Sequence, residues 1–295
     1  MKLGSLEIFP ASDGPFKLDG GQVFGIVPKA LWSRLMNCDH RNRVTIAMTS
    51  LVVRHPDGIV LIECGTGRKH NAKMHDIYGL SDDIELVKSL GGLGIRPEDV
   101  TAVILSHLHH DHAGSCTRLT DARCREQKDK AECSVPTFPS ARYFVQRGEW
   151  EQATAPNPIT RGTYLPENLL PLKKAGQLKL LDGDGELLDG ISVRVTGGHT
   201  DFHQATIVQS QGAGVIFAGD AAPLVTCLRP AYNTAFDHHP VETMRAKAEL
   251  FDLAIRKGWL IWFYHDPHTA AATLKHSTDQ PVVENVAIEA PDVGA

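Results

Sequence analysis

One short segment, His107-Leu108-His109-His110-Asp111-His112, concentrates imidazoles around a carboxylate. It follows an apolar, β-branched run at 100–105 that reads as a strand. Alternate residues at a strand end project to one side, so His107 and His109 can share one ion. Asp111 and His112 enter the next helical turn and aim at a second. Imidazole with carboxylate suits borderline divalent ions, zinc first, with Mn2+ or Fe2+ as alternatives. The plain competitor is a solvated histidine cluster. Four candidate ligands within six residues argue against it.

Three later runs repeat one pattern, an apolar strand ending in a polar residue. Residues 191–196 lead through Gly197-Gly198 to His199, 215–218 through Gly219 to Asp220, and 259–263 through Tyr264 to His265. Each is weak alone. With the first segment they make seven donors: His107, His109, Asp111, His112, His199, Asp220 and His265. That is enough for two adjacent ions, and the Asp220 carboxylate can bridge them. Other histidines have blander readings. His110 is expected to point away as packing and His203 to orient a loop or a ligand. His238 and His239 mark a helix start, and His268 is less well placed than His265. Asp266 is a candidate partner for a ligand histidine.

The elements that must position these groups are mixed. Strands are expected at 45–53 and 58–62, joined by the turn Arg54-His55-Pro56-Asp57. A helix is expected at 81–90, capped by Ser81 with Asp82 and Asp83 in its first turn. A strand at 141–145 and a helix at 147–155 follow, then strands at 191–196, 205–209, 215–218 and 259–263. The helix at 240–257 carries Val241, Met244, Ala248, Phe251 and Ile255 on one face. Residues 115–139 are polar and cysteine-bearing and read as an insertion or long loop.

Composition narrows the class. The 295 residues are 42% hydrophobic and 22% charged, as in soluble globular chains. No run approaches the roughly 20 apolar residues of a membrane helix. The net charge of −5 lacks a basic footprint for nucleic acid. The N-terminus lacks a secretory layout, so a cytoplasmic, reducing location is expected. Six cysteines include no CxxC pair. Most read as small buried hydrophobes, with a bridge or small metal site at Cys116, Cys124 and Cys133 as the alternative.

The HxHxDH segment, with the later Gly-His, Gly-Asp and His, resembles the metallo-β-lactamase superfamily over most of the chain. The resemblance implies an α/β fold, a four-layer αββα sandwich with metals at one sheet edge, as one domain over 1–295 with 115–140 as an insertion loop. It implies that His107, His109 and His199 hold one metal, that Asp111, His112 and His265 hold another, and that Asp220 bridges. Gly198-His199-Thr200-Asp201-Phe202-His203-Gln204 and Val145-Gln146-Arg147-Gly148-Glu149-Trp150 resemble segments of the lactonase-type branch. Two departures stand out. Glu63-Cys64-Gly65 replaces Asp-Thr-Gly, with Glu63 a candidate acceptor for a ligand histidine. Pro223 stands where lactonases of this branch often carry Tyr.

The expected function is a dinuclear, metal-dependent hydrolase that uses a metal-bridging hydroxide on an ester or lactone. Asp111 and Asp220 are the catalytic carboxylates, and Tyr232 or Tyr264 could donate to the substrate oxygen. Phosphotriester or thioester hydrolysis, a mononuclear iron sulfur dioxygenase and a non-enzymatic metal-binding module are the alternatives. The expected partner is a small molecule with an apolar portion, without nucleic acid or membrane, and a homodimer is left open. Residues 23–36 are conspicuously apolar. Pro28 opens a short helix there, with Leu31 and Leu35 on one face. Trp32 serves the core, a flap over the metals or a dimer contact.

Overall fold

The computed structural model describes residues 1–81 and 84–291. Two seven-stranded sheets dominate the described residues, each with its strands in chain order. The first runs Lys2–Leu3, Leu6–Ser12, Thr49–His55, Gly58–Ile62, Val100–Ile104, Arg142–Gln146 and Leu178–Leu181. Its early pairs are antiparallel and its later ones, from Gly58–Ile62 onward, parallel. The second runs Gly185–Leu188, Ile191–Val195, Gln204–Ser210, Ala213–Phe217, Leu260–Trp262, Thr269–Lys275 and Val282–Glu289. It is antiparallel except between Ala213–Phe217 and Leu260–Trp262, whose crossover includes the helix Pro240–Lys257.

Period-two alternation assigns each strand face to a layer. Leu51, Val53, Val60 and Ile62 face Val215, Phe217, Leu260 and Trp262 in the central core. Val52, Leu61 and Val103 point the other way, onto Leu86, Leu90, Trp150 and Leu169 from helices. Ile216, Ile261 and Ala272 pack on Leu250, Phe251 and Ala254 of the long helix. The result is the four-layer αββα sandwich. No described helix is long and apolar enough to cross a membrane.

Several boundaries differ from those the sequence suggests, for physical reasons. The first expected strand is two: Arg43–Ile46 pairs with Phe16–Asp19, and Thr49–His55 joins the large sheet. Between them the backbone turns to the His265 segment, with Ala47 N–H donating to His265 O and Thr49 N–H to Tyr264 O. The hairpin turn is tight, with His55 opposite Gly58. The helix expected at 81–90 is Leu86–Gly92, with Glu85 at its N-cap. Asp82 and Asp83 lie outside the described residues. On Pro240–Lys257 the buried stripe is Thr243, Lys247, Leu250, Phe251 and Ala254, and Val241 is exposed. A lysine does not read as core, but Lys247 Nζ donates to Arg229 O, Tyr232 O and Asn233 Oδ1, which satisfies it there.

Residues 115–139 hold a small hairpin, Thr117–Leu119 with Ser134–Pro136, and two 3-10 turns. Both ends are buried, at Cys116 and Phe138. The cysteine trio divides. The buried Cys116 thiol hydrogen-bonds with Cys64, whose ionisation burial suppresses. The Cys133 thiol donates to Gln127 Oε1 at 3.0 Å. All six thiols are unbridged.

Candidate metal centre

Four strands of the two sheets deliver the donors to one edge. Val100–Ile104 ends just before His107 and His109, and the short helix His110–Ala113 then carries Asp111 and His112. Ile191–Val195, Ala213–Phe217 and Leu260–Trp262 end before His199, Asp220 and His265. Glycines make two of these turns. Gly198 has φ +85 and a Cβ there would strike Thr243; Gly219 has φ +55 and its Cβ would meet His203 Nε2 at 2.6 Å.

The structure brings all seven expected residues together. Their donor atoms fall into three groups: His107, His109 and His199; His107, His112 and Asp220; Asp111, His112 and His265. Asp220 faces both sides. Its Oδ2 lies 3.3 Å from His199 Nε2, and its Oδ1 lies 3.3 Å from His112 Nε2 and 3.4 Å from His265 Nε2.

The outer hydrogen bonds set the direction of the lone pairs. His265 Nδ1 lies 2.8 Å from Ala47 O, which can only accept, so Nδ1 carries the proton and Nε2 presents a lone pair inward. His112 Nδ1 faces Glu63 Oε2 at 3.1 Å and His199 Nδ1 faces Asp237 Oδ1 at 2.9 Å. Both rings therefore also turn Nε2 inward. Yet His112 Nε2 and His265 Nε2 are 3.2 Å apart, and His199 Nε2 is 3.2 Å from His109 Nδ1. His107 Nε2 and Asp220 Oδ1 are buried without a hydrogen-bond partner. Converging lone pairs and an orphaned carboxylate oxygen require positive charge among them. Protons on the histidines supply part of it, and divalent cations fit the whole donor set.

The electrostatics agree. Burial, then the charges of neighbouring histidines, hold His107 and His109 well below the usual imidazole range. Burial also disfavours charge on His112, but Asp220, Glu63 and Asp111 outweigh it and raise this imidazole. His199 is likewise raised against burial, by Asp220 and Asp237. Burial opposes the Asp220 charge, and His112, His199 and His265 nonetheless pull its carboxyl well below the carboxylate range.

The supporting residues are partly those expected. Glu63, at φ 69, sits in a strained turn after its strand, and its Oε1 takes the Ser106 N–H at 2.6 Å. Glu149 is fully buried and accepts from Leu108 N–H, Tyr164 Oη and Thr200 Oγ1, which joins the two histidine loops. Gln146 Nε2 donates to Gln204 Oε1, and Gln204 Nε2 to Leu105 O. His203 Nε2 accepts the Asp220 N–H at 3.1 Å, and burial lowers this ring to about 3, keeping it neutral for that role. Asp237, which carries no motif signal, and Ala47, acting through its backbone carbonyl, were not readable from sequence. Asp266 does not serve His265; it accepts from the N–H groups of Val225, His268 and Thr269. His239 is the N-cap residue of Pro240–Lys257, as expected, and the side chains of His238 and His239 contact Asp201.

The centre opens into a cavity of about 210 Å³, floored by His109, Asp111, His199, Asp220 and His265. Phe16, Leu18, Val23, Ile46, Leu224 and Phe236 form apolar walls. His110, expected to point away, packs on Phe16 and Tyr78 and lines this cavity. Neither expected tyrosine reaches it. Tyr264 is buried, donates to Asp111 O at 2.8 Å and accepts from Gly65 N–H at 3.0 Å. Tyr232 packs edge-on against Phe24, and its hydroxyl accepts from Arg229. Trp32 is core, 1% exposed and stacked on Phe24 at 5.2 Å, while Val23 reaches the cavity.

A family model described as the Metallo-beta-lactamase superfamily matches residues 47–123 and 133–265. The chain belongs to the metallo-β-lactamase superfamily. It is 28% identical over 240 residues to N-acyl homoserine lactonase AttM of Azorhizobium caulinodans, across 75% of this chain and 82% of that protein. The AttM of Rhizobium johnstonii is 27% identical over 246 residues, 77% of this chain and 84% of its own. Among solved structures, a probable metal-dependent hydrolase from Staphylococcus aureus superposes with TM-score 0.83 at 27% identity, covering 98% of this chain and 100% of that one. AidC, a dizinc quorum-quenching lactonase, shares the fold with TM-score 0.74 at 18% identity, over 96% and 95%. This superfamily member lies on the lactonase-like branch and is a metal-dependent hydrolase.

Proposed function

We propose that this hydrolase holds two divalent ions, zinc by preference, and opens the ester bond of a lactone carrying an apolar acyl group. The observation that carries the reading is Asp220, whose two oxygens face separate histidine sets at the floor of an apolar-walled cavity. His107, His109 and His199 would hold one ion, and Asp111, His112 and His265 the other, with Asp220 shared. Bound there, the ions supply a water acidified to near-neutral pKa and a Lewis acid for the carbonyl. The chain's own residues do the rest. Glu63, Asp237 and Ala47 hold three rings by their outer nitrogens, and such partners typically alter metal affinity 10–100-fold. Asp111 lies on the cavity floor, where its carboxylate can orient the attacking water. The walls exclude water and accept an aliphatic chain. N-acyl homoserine lactones, named for the relatives' activity, combine that chain with a lactone ring. The free thiols suit a cytoplasmic setting.

The test is elemental analysis of gently purified protein, with a panel of acyl homoserine lactones, aryl esters, thioesters and phosphotriesters. Two metal equivalents per chain and preferred lactone turnover are expected. One tight metal with no second site on titration refutes the dinuclear reading. Preferred phosphotriester turnover refutes the lactone.

A further inference from the structure

We infer that Tyr78 is a catalytic residue, donating its phenolic hydrogen bond to the substrate oxygen on which charge develops as the ester carbonyl is attacked. The inference rests on the hydrolytic reading above and deepens it. Pro223 carries no hydroxyl beside Asp220, Tyr264 spends its proton on Asp111 O, and Tyr232 does not line the cavity. Three hydroxyl-bearing residues line the cavity: Tyr78, Thr163 and Thr234. Thr163 spends its proton on Thr160 O at 2.8 Å and Thr234 on Asp237 Oδ1 at 2.8 Å. Tyr78 lines the same cavity as Asp111, close enough to feel its charge, and has no hydrogen-bond acceptor among the described residues. An ordinary phenol keeps its proton at neutral pH and is free to donate it.

The ring is held by a capped helix and by the rings around it. Tyr78 ends the helix Ala72–Tyr78, which Asn71 caps at one end and Gly79 closes at the other. Arg43 Nη1 donates to the carbonyls of Asp76 and Ile77 at 2.6 and 2.8 Å, and Asp39 holds Arg43 through Nε at 2.9 Å. The phenol ring rests on Phe16 at 4.6 Å, His110 at 5.1 Å and His70 at 5.9 Å. Thr66 in turn fixes His70 Nε2 at 2.6 Å. A preorganised donor at developing charge is worth on the order of 10²–10³ in kcat when fully buried, and less at a half-open wall.

The experiment compares wild type, Tyr78→Phe and Tyr232→Phe, each loaded with zinc, on a six-carbon acyl homoserine lactone and on phenyl acetate. Tyr78→Phe keeps the ring packing, so metal content and melting temperature should match wild type. Its kcat should fall about 10- to 100-fold with KM within about threefold. A tetrahedral phosphonate analogue should bind correspondingly more weakly to it. Tyr232→Phe should change neither. Unaltered kcat and analogue binding in Tyr78→Phe, or a loss matched by lost metal, overturns the role of Tyr78 and leaves the hydrolytic reading standing. A wild type that turns over neither substrate overturns that reading and this inference with it.

Discussion

Asp220 and Asp201 are two acids near the same motifs with opposite environments. Asp220 is buried among the candidate ligand histidines, whereas Asp201 sits near the surface against His238, His239 and Gln152. Asp220→Ala should abolish turnover and lower metal content, while Asp201→Ala should keep both near wild type. Kinetics and metal analysis of the two variants check this, and comparable losses would mean that the bridge is assigned to the wrong carboxylate. The same residues predict a proton balance. Acids raise the His112 and His199 imidazoles against the effect of burial, which favours their protonated forms in metal-free protein. A metal needs their lone pairs, and its binding must release those protons. Zinc calorimetry in two buffers of different ionisation enthalpy should show release of at least one proton per chain. Release should shrink as pH rises through the raised values, because the protons have then already left.

At the scale of elements, the apolar segment before the first hairpin divides its labour. The helix Gly20–Phe24 and the turn Lys29–Trp32 stack Phe24 on Trp32, and Gly20 lies so close to that indole that a Cβ would collide. Trp32→Ala should therefore destabilise the fold by about 3–5 kcal/mol through the cavity it leaves. Denaturant midpoints at constant slope would show this, and a change under about 1 kcal/mol would refute a core role. Sequence made Trp32 ambiguous because an aromatic near a cleft and an aromatic beneath it look alike. The long helix offers the same lesson. Its apolar residues suggest one face, but the buried stripe centres on Lys247, which ties down the loop carrying Thr234, Phe236 and Asp237.

For the whole molecule, the donor set lies at the edge between two sheets whose facing sides are largely apolar. Hydrogen bonds such as Gln204 N–H to Ser106 O, Ala47 N–H to His265 O and Tyr264 Oη to Asp111 O already join the sheets there, so metal adds to a connected edge. Metal binding to the folded state alone should add about 4 kcal/mol when free metal exceeds its dissociation constant a thousandfold. Chelation should then lower the melting temperature by on the order of 10 °C, and zinc should restore it. Calorimetry with and without chelator measures this. An unchanged transition in protein verified to be metal-free would mean the site is rigid without its ions.

The donor set was legible in sequence because each donor follows an apolar strand, and strand ends at one sheet edge converge. The four layers were expected from the family resemblance, whereas the residues alone announced only mixed helix and sheet. Local patterns could not show which atoms orient the rings. Ala47 acts through a carbonyl and is invisible to any side-chain motif. Asp237 lies 38 positions from the imidazole it holds. The phenol in the cavity comes not from the residues around Asp220 but from Tyr78, on a helix fixed by Arg43. Those choices depend on which backbone groups approach across the sandwich, and that is decided only when the two sheets pack.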